Sequence, residues 1–142
     1  MKIQYPCTLV QLGDGKYHVS FFDFAEACTQ GETFQEALMR AEGVLTATLE
    51  NRIKQGGTIP RPREAAYYGE RMITPLPPIQ TALLVKFSRG EKTLADLARD
   101  LETSWPSVAR LEDPSHWCSL KQLAKTSTAL GYKLVLSFEK EA

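Results

Sequence analysis

Hydrophobic and polar positions alternate with a period of two at the start of the chain, then recur at helical spacing through most of the remainder. Ile3, Tyr5, Cys7 and Leu9 stand opposite Gln4, Thr8 and Val10; after Gly13-Asp14-Gly15, Tyr17, Val19 and Phe21 stand opposite His18, Ser20 and Phe22. Two alternating runs joined by a glycine-containing turn predict a β-hairpin. Asp23 to Gly31 reads as a connector with room for a short third strand near Cys28 and Thr29. At Thr33-Phe-Gln-Glu36 the signal changes to a capping box, and Ala37, Leu38, Ala41, Val44, Leu45, Thr48, Leu49 and Ile53 follow at helical spacing until Gly56-Gly57. That spacing predicts one long helix.

Thr58 to Glu70 has no usable period and reads as a loop, Arg71 to Thr74 as a further strand, and Pro75-Leu-Pro-Pro78 as a domain boundary. The reading is of one domain over 1–75, a proline-rich boundary at 76–78 and a second domain over 79–142. The second domain starts with a helix over Ile79 to Ser88. Thr93-Leu-Ala-Asp96 and Ser119-Leu-Lys-Gln122 are further capping boxes, and Ser104 is an N-cap with Pro106 in the first turn behind it. Leu120, Leu123, Ala124 and Leu130 are expected to line the last helix, which ends at Gly131. Tyr132 to Glu139 then alternates again as a lone strand, which needs a partner from this chain or from a second copy. The fold class is α+β, with a sheet-plus-helix domain first and an all-α domain second, closed by a C-terminal strand.

Thr93 to Glu112 is the segment that proposes a partner. Two short helices hinged by a polar turn, with Val108 and Leu111 as core anchors, form a helix-turn-helix pattern whose second helix can enter the major groove of DNA. Ser104, Trp105, Ser107 and Arg110 are expected on its exposed face. Lys92 and Thr93 ahead of the pair, and His116 and Lys121 beyond it, are expected to meet phosphate. Charge restrains this reading: residues 1–79 hold 8 Lys and Arg against 9 Asp and Glu, and residues 80–142 hold 9 against 8. DNA binding by such a chain should be weak per protomer and depend on dimerisation or on local charge placement.

Composition excludes several other classes. Apolar residues make up 43% and charged residues 24%, which is globular usage. No apolar run approaches the roughly 20 residues needed to span a bilayer, and the N-terminus lacks the apolar stretch of a signal peptide, so a cytoplasmic protein is expected. Cys7, Cys28 and Cys118 form no C-x-x-C pair, and with only two histidines neither a disulfide frame nor a zinc site is expected. The cysteines read as buried apolar thiols. Asp14, Asp23, Glu26, Glu32 and Glu36 resemble the carboxylate supply of a two-metal nuclease, yet turn and capping roles account for all but Asp23 and Glu26. No catalytic residue, cofactor or metal is expected.

Several pieces, in order, resemble the HicB antitoxins: Tyr5-Pro6, the hairpin through Asp14-Gly15-Lys16-Tyr17-His18-Val19-Ser20-Phe21, Asp23, Thr29-Gln-Gly-Glu-Thr33, Glu36-Ala37 and Ile59-Pro60-x-Pro62. The C-terminal part resembles the Cro/repressor helix-turn-helix of one branch of that family. The resemblance implies a partial RNase H-like N-terminal domain that binds a small HicA-like mRNA-cleaving toxin, and a C-terminal domain that binds the operator of its own operon as a dimer. On that footing Phe22, Asp23, Phe24 and Glu26 form an acidic, aromatic loop suited to a basic toxin face. Leu134, Leu136 and Phe138 form a dimerisation strand. Four positions depart from the family pattern: Phe22 and Ala25 replace common prolines, Glu102 replaces a turn glycine, and Trp105 stands where glutamine is frequent. A stand-alone transcription regulator, with an N-terminal domain that senses a ligand or mediates assembly, is the alternative.

Overall fold

The computed structural model describes every residue except Ala65, Tyr68 and Ala142. The predicted hairpin is present as β1 (Tyr5–Gln11) and β2 (Tyr17–Phe21), paired antiparallel with Cys7 opposite Phe21 and Leu9 opposite Val19. The expected connector is instead a full third strand, β3 (Phe24–Gly31), joined to β2 through the two residues Phe22-Asp23. Its inward residues are Phe24, Ala27 and Gly31, so the period of two is broken, and a bulge at Ser20/Phe21 absorbs the offset. Further along, β4 (Glu70–Ile73) pairs with β1 and completes an antiparallel sheet of order β3-β2-β1-β4.

Helix α1 (Phe34–Lys54) lies across β3 and β2 and buries Ala37, Ala41, Leu45, Thr48 and Leu49. Small residues at its start let it close on the sheet: a Cβ added at Gly31 would sit 2.5 Å from the Ala37 amide nitrogen. Thr33 caps the helix by accepting from the Glu36 amide at 3.1 Å, but the Glu36 carboxylate turns to Arg40 rather than back to Thr33. Gly56, at φ 68°, closes the other end: its amide donates to Ile53 and the Gly57 amide to Arg52.

Helix α2 (Pro77–Arg89) begins inside the expected boundary, because Pro77 and Pro78 occupy its first turn, where the missing N–H groups have no intrahelical acceptor. It serves two cores. Ile79 and Leu83 join Ile3, Tyr5, Cys7, Val19, Phe21, Phe24 and the α1 stripe, whereas Val85 joins Leu97, Ala98, Val108 and Leu111. The second core is enclosed by α3 (Leu94–Asp100), α4 (Trp105–Ala109) with a 3-10 turn at Arg110–Glu112, and α5 (Leu120–Ala129).

The capping box expected at Ser119/Gln122 closes reciprocally, with both bonds at 3.1 Å. At Thr93 the hydroxyl accepts from the Asp96 amide at 3.1 Å, while the Asp96 carboxylate turns to Arg99. In α5, Leu123 and Leu130 pack on the second core while Leu120 and Ala124 are exposed. Residues 132–141 form no strand, since no other strand of the described chain pairs with them. Cys28 is exposed rather than buried; Cys7 is buried, and that burial pushes its thiol up to about 11.

Candidate functional site

The tip of the β2–β3 hairpin projects three aromatic positions with different fates. Phe21 is core, Phe22 is 78% exposed, and Phe24 is fully buried with its ring 5.0 Å from Tyr5 in an edge-on contact. Phe24 is therefore withdrawn from the expected toxin-facing loop: it packs inward because β3 starts at that residue and carries it under α1. The carboxylates of the loop are already engaged. Glu26 accepts two bonds from Arg52, at 2.7 and 2.9 Å, and this pairing holds its carboxyl down at about 2. Arg52 also donates to the Thr58 carbonyl at 2.9 Å and lies over the Phe24 ring, fastening the loop after α1 to the sheet.

Asp23 is more enclosed. Its nearest cation is Arg63, at 3.9 Å, and one of its carboxylate oxygens is buried without a hydrogen-bond donor among the described residues. Arg63 itself donates to Glu70 at 3.2 and 3.3 Å, which ties the segment before β4 to the hairpin tip. The tip is thus an exposed phenylalanine beside Glu26, a carboxylate paired with Arg52, and Asp23, an enclosed carboxylate that shares Arg63 with Glu70.

In the second half, Glu102 holds the turn between α3 and α4 at φ 52°, the one non-glycine residue with positive φ among those described. Glutamate thus takes the left-handed conformation that a glycine adopts without strain. Its amide donates to Arg99 at 3.1 Å and the Thr103 amide to Ala98 at 2.9 Å, a Schellman closure that satisfies the end of α3. Ser104 then caps α4 by accepting from the Ser107 amide at 3.3 Å. Trp105, Arg110 and Lys121 are exposed, while Ser107 and His116 are half-buried. The expected phosphate contacts ahead of the pair are occupied within the chain: Lys92 pairs with Asp100, and the Thr93 hydroxyl caps α3.

The tail beyond α5 carries Val135, Leu136 and Phe138 at 76%, 66% and 107% exposure, with Leu134 half-buried. Lys2, ahead of β1, pairs with Glu139 of the tail.

The family described as HicB-like antitoxin of bacterial toxin-antitoxin system matches residues 4–85. Antitoxin HicB 1 of Photorhabdus laumondii subsp. laumondii is 31% identical over 138 residues, covering 96% of this chain and 88% of that protein. The chain belongs to the HicB-like antitoxin family. Antitoxin HicB of Escherichia coli (strain K12) is likewise 31% identical, over 94% of this chain and 98% of its own length. A crystal structure of the N-terminal domain of the Burkholderia pseudomallei antitoxin HicB aligns with 49% of this chain and 92% of its own, at 17% identity and a TM-score of 0.42.

Among the described residues no group of three or more His, Cys, Asp or Glu could hold a metal ion, and no helix is long and apolar enough to cross a membrane. Sequence reasoning passed over Arg52 and Arg63, whose partners lie 26 and 40 positions away in Glu26 and Asp23. It also passed over Trp117, 69% exposed ahead of α5.

Proposed function

We propose that this HicB-like chain neutralises a HicA-like mRNA-cleaving toxin through its N-terminal unit and represses its own operon through its C-terminal unit. Similarity to curated HicB antitoxins over 96% of the chain is the observation that carries the reading, because it runs through both halves. Phe22 at the hairpin tip is the apolar anchor of the toxin surface, with Asp23 and Glu26 beside it. The α3–α4 pair acts as a helix-turn-helix, and Trp105, Ser104, Ser107 and Arg110 face the groove while Lys121, His116, Lys92 and Thr93 flank it. Trp105 lacks an amide fork, so specificity rests on Arg110 and on DNA shape.

Leu134, Leu136 and Phe138 supply a strand that pairs with the same strand of a second copy. This accounts for an apolar alternating segment left unpaired in the single chain, and it sets two recognition helices about 34 Å apart. Mixing the chain with the product of an adjacent short reading frame, then measuring complex size, RNA cleavage and binding to upstream DNA, tests the whole reading. A complex without RNA cleavage and with retained DNA binding is expected; free, active toxin in the mixture would overturn it.

A further inference from the structure

Arg63 lies within cation–π distance of two rings that the fold leaves in solvent. Its guanidinium lies 4.9 Å from the Phe22 ring centroid and 5.2 Å from that of Tyr67, and the rings are 78% and 73% exposed. The two aromatics are 45 positions apart and reach one patch only because the segment before β4 folds over the hairpin tip. That segment is fastened on both sides: Glu70 accepts from Arg63 at 3.2 and 3.3 Å and from the Tyr67 amide at 2.9 Å, and Asp23 faces the guanidinium at 3.9 Å. Burying Phe22 and Tyr67 against a partner would therefore cost little ordering entropy, since Arg63 already holds both.

The charge of the patch selects the partner. Arg63 is offset by Asp23 and Glu70, leaving one net negative charge beneath two electron-rich ring faces. Phosphate is disfavoured there, and a cationic protein surface, with Lys or Arg stems to lay across the rings, is favoured. We propose that Phe22, Arg63 and Tyr67 form one composite docking patch for the toxin, so that the segment before β4 recognises the partner together with the hairpin tip. Arg63 positions the two rings and does not itself make the contact. The inference rests on the antitoxin reading above and deepens it.

Calorimetric titration of the full chain with the adjacent gene product tests the patch. Tyr67→Ala and Phe22→Ala should each weaken affinity at least about tenfold, the scale of an interface anchor, and Arg63→Lys should weaken it as well by removing the planar stacking surface. Because Tyr67 is largely exposed, its replacement leaves the core intact, which an unchanged circular dichroism spectrum and melting temperature would verify. Met39→Ala, exposed on α1, should bind as the unaltered chain does. Unchanged affinity of Tyr67→Ala would overturn the composite patch alone. No binding by the unaltered chain would overturn the antitoxin reading and the patch together.

Discussion

Arg89 near the end of α2 donates two bonds to Glu112 after α4, at 2.6 and 3.0 Å, and a third to the Lys92 carbonyl at 2.7 Å. One guanidinium thereby fixes the start of α3 and the end of the α4 turn to α2. Both side chains are mostly enclosed, so Arg89→Met should leave the Glu112 carboxylate without its counter-charge and cost about 2–3 kcal/mol. Urea denaturation measures this, and Arg89→Met combined with Glu112→Leu should recover part of the loss; an additive double variant would show that the pair is not coupled.

Gly31 supports a different kind of forecast. Its Cβ position lies 2.5 Å from the Ala37 amide nitrogen and 2.8 Å from the Ala37 Cα, both backbone atoms that cannot rotate away. Gly31→Ala should push α1 off β3 and destabilise the chain by about 1–3 kcal/mol. A thermal melt equal to that of the unaltered chain would refute the close contact.

The strained turn should respond in the opposite sense. Glu102→Gly removes the side chain that disfavours φ 52° and should stabilise the chain by about 1 kcal/mol, raising the melting temperature by a few degrees. A lower melting temperature would mean that Glu102 makes a compensating contact.

Acid sensitivity follows from Glu26. Its carboxyl is lowered from 4.5 to about 2 by the hydrogen bonds and charge of Arg52, so the native state holds this proton more weakly than the unfolded chain. The resulting stabilisation is complete above about pH 4.5 and is lost as pH falls through about 2. Because the pair is exposed, its effect is screened, and Glu26→Gln should flatten the stability profile only within that window. Identical acid profiles for the two proteins would count against the pairing in solution.

Truncation after Gly131 addresses assembly. The shortened chain should lose operator affinity and shift toward the monomer, with toxin binding retained, as native mass and DNA titration would report. Operator binding equal to that of the full chain would remove the terminal strand from the dimer.

The elements with unbroken periods were legible in the sequence. The β1–β2 hairpin and the α1 stripe follow from alternation and helical spacing, and the cost at Glu102 from a missing glycine. The third strand was not, because its inward residues Phe24, Ala27 and Gly31 step irregularly and two of them lack a bulky side chain. Nor was the start of α2, where Pro77 and Pro78 signal both a break and a helix entry. The charge state of the hairpin tip was hidden for another reason. Asp23 and Glu26 look free in their own neighbourhood, and the arginines that face them arrive from α1 and from the segment before β4.

Helix α2 gives Ile79 and Leu83 to one core and Val85 to the other, within seven residues of a continuous backbone. Unravelling it would open both cores at once. The chain should then melt in a single cooperative step, and heating would abolish the proposed toxin binding and the proposed DNA binding in the same event.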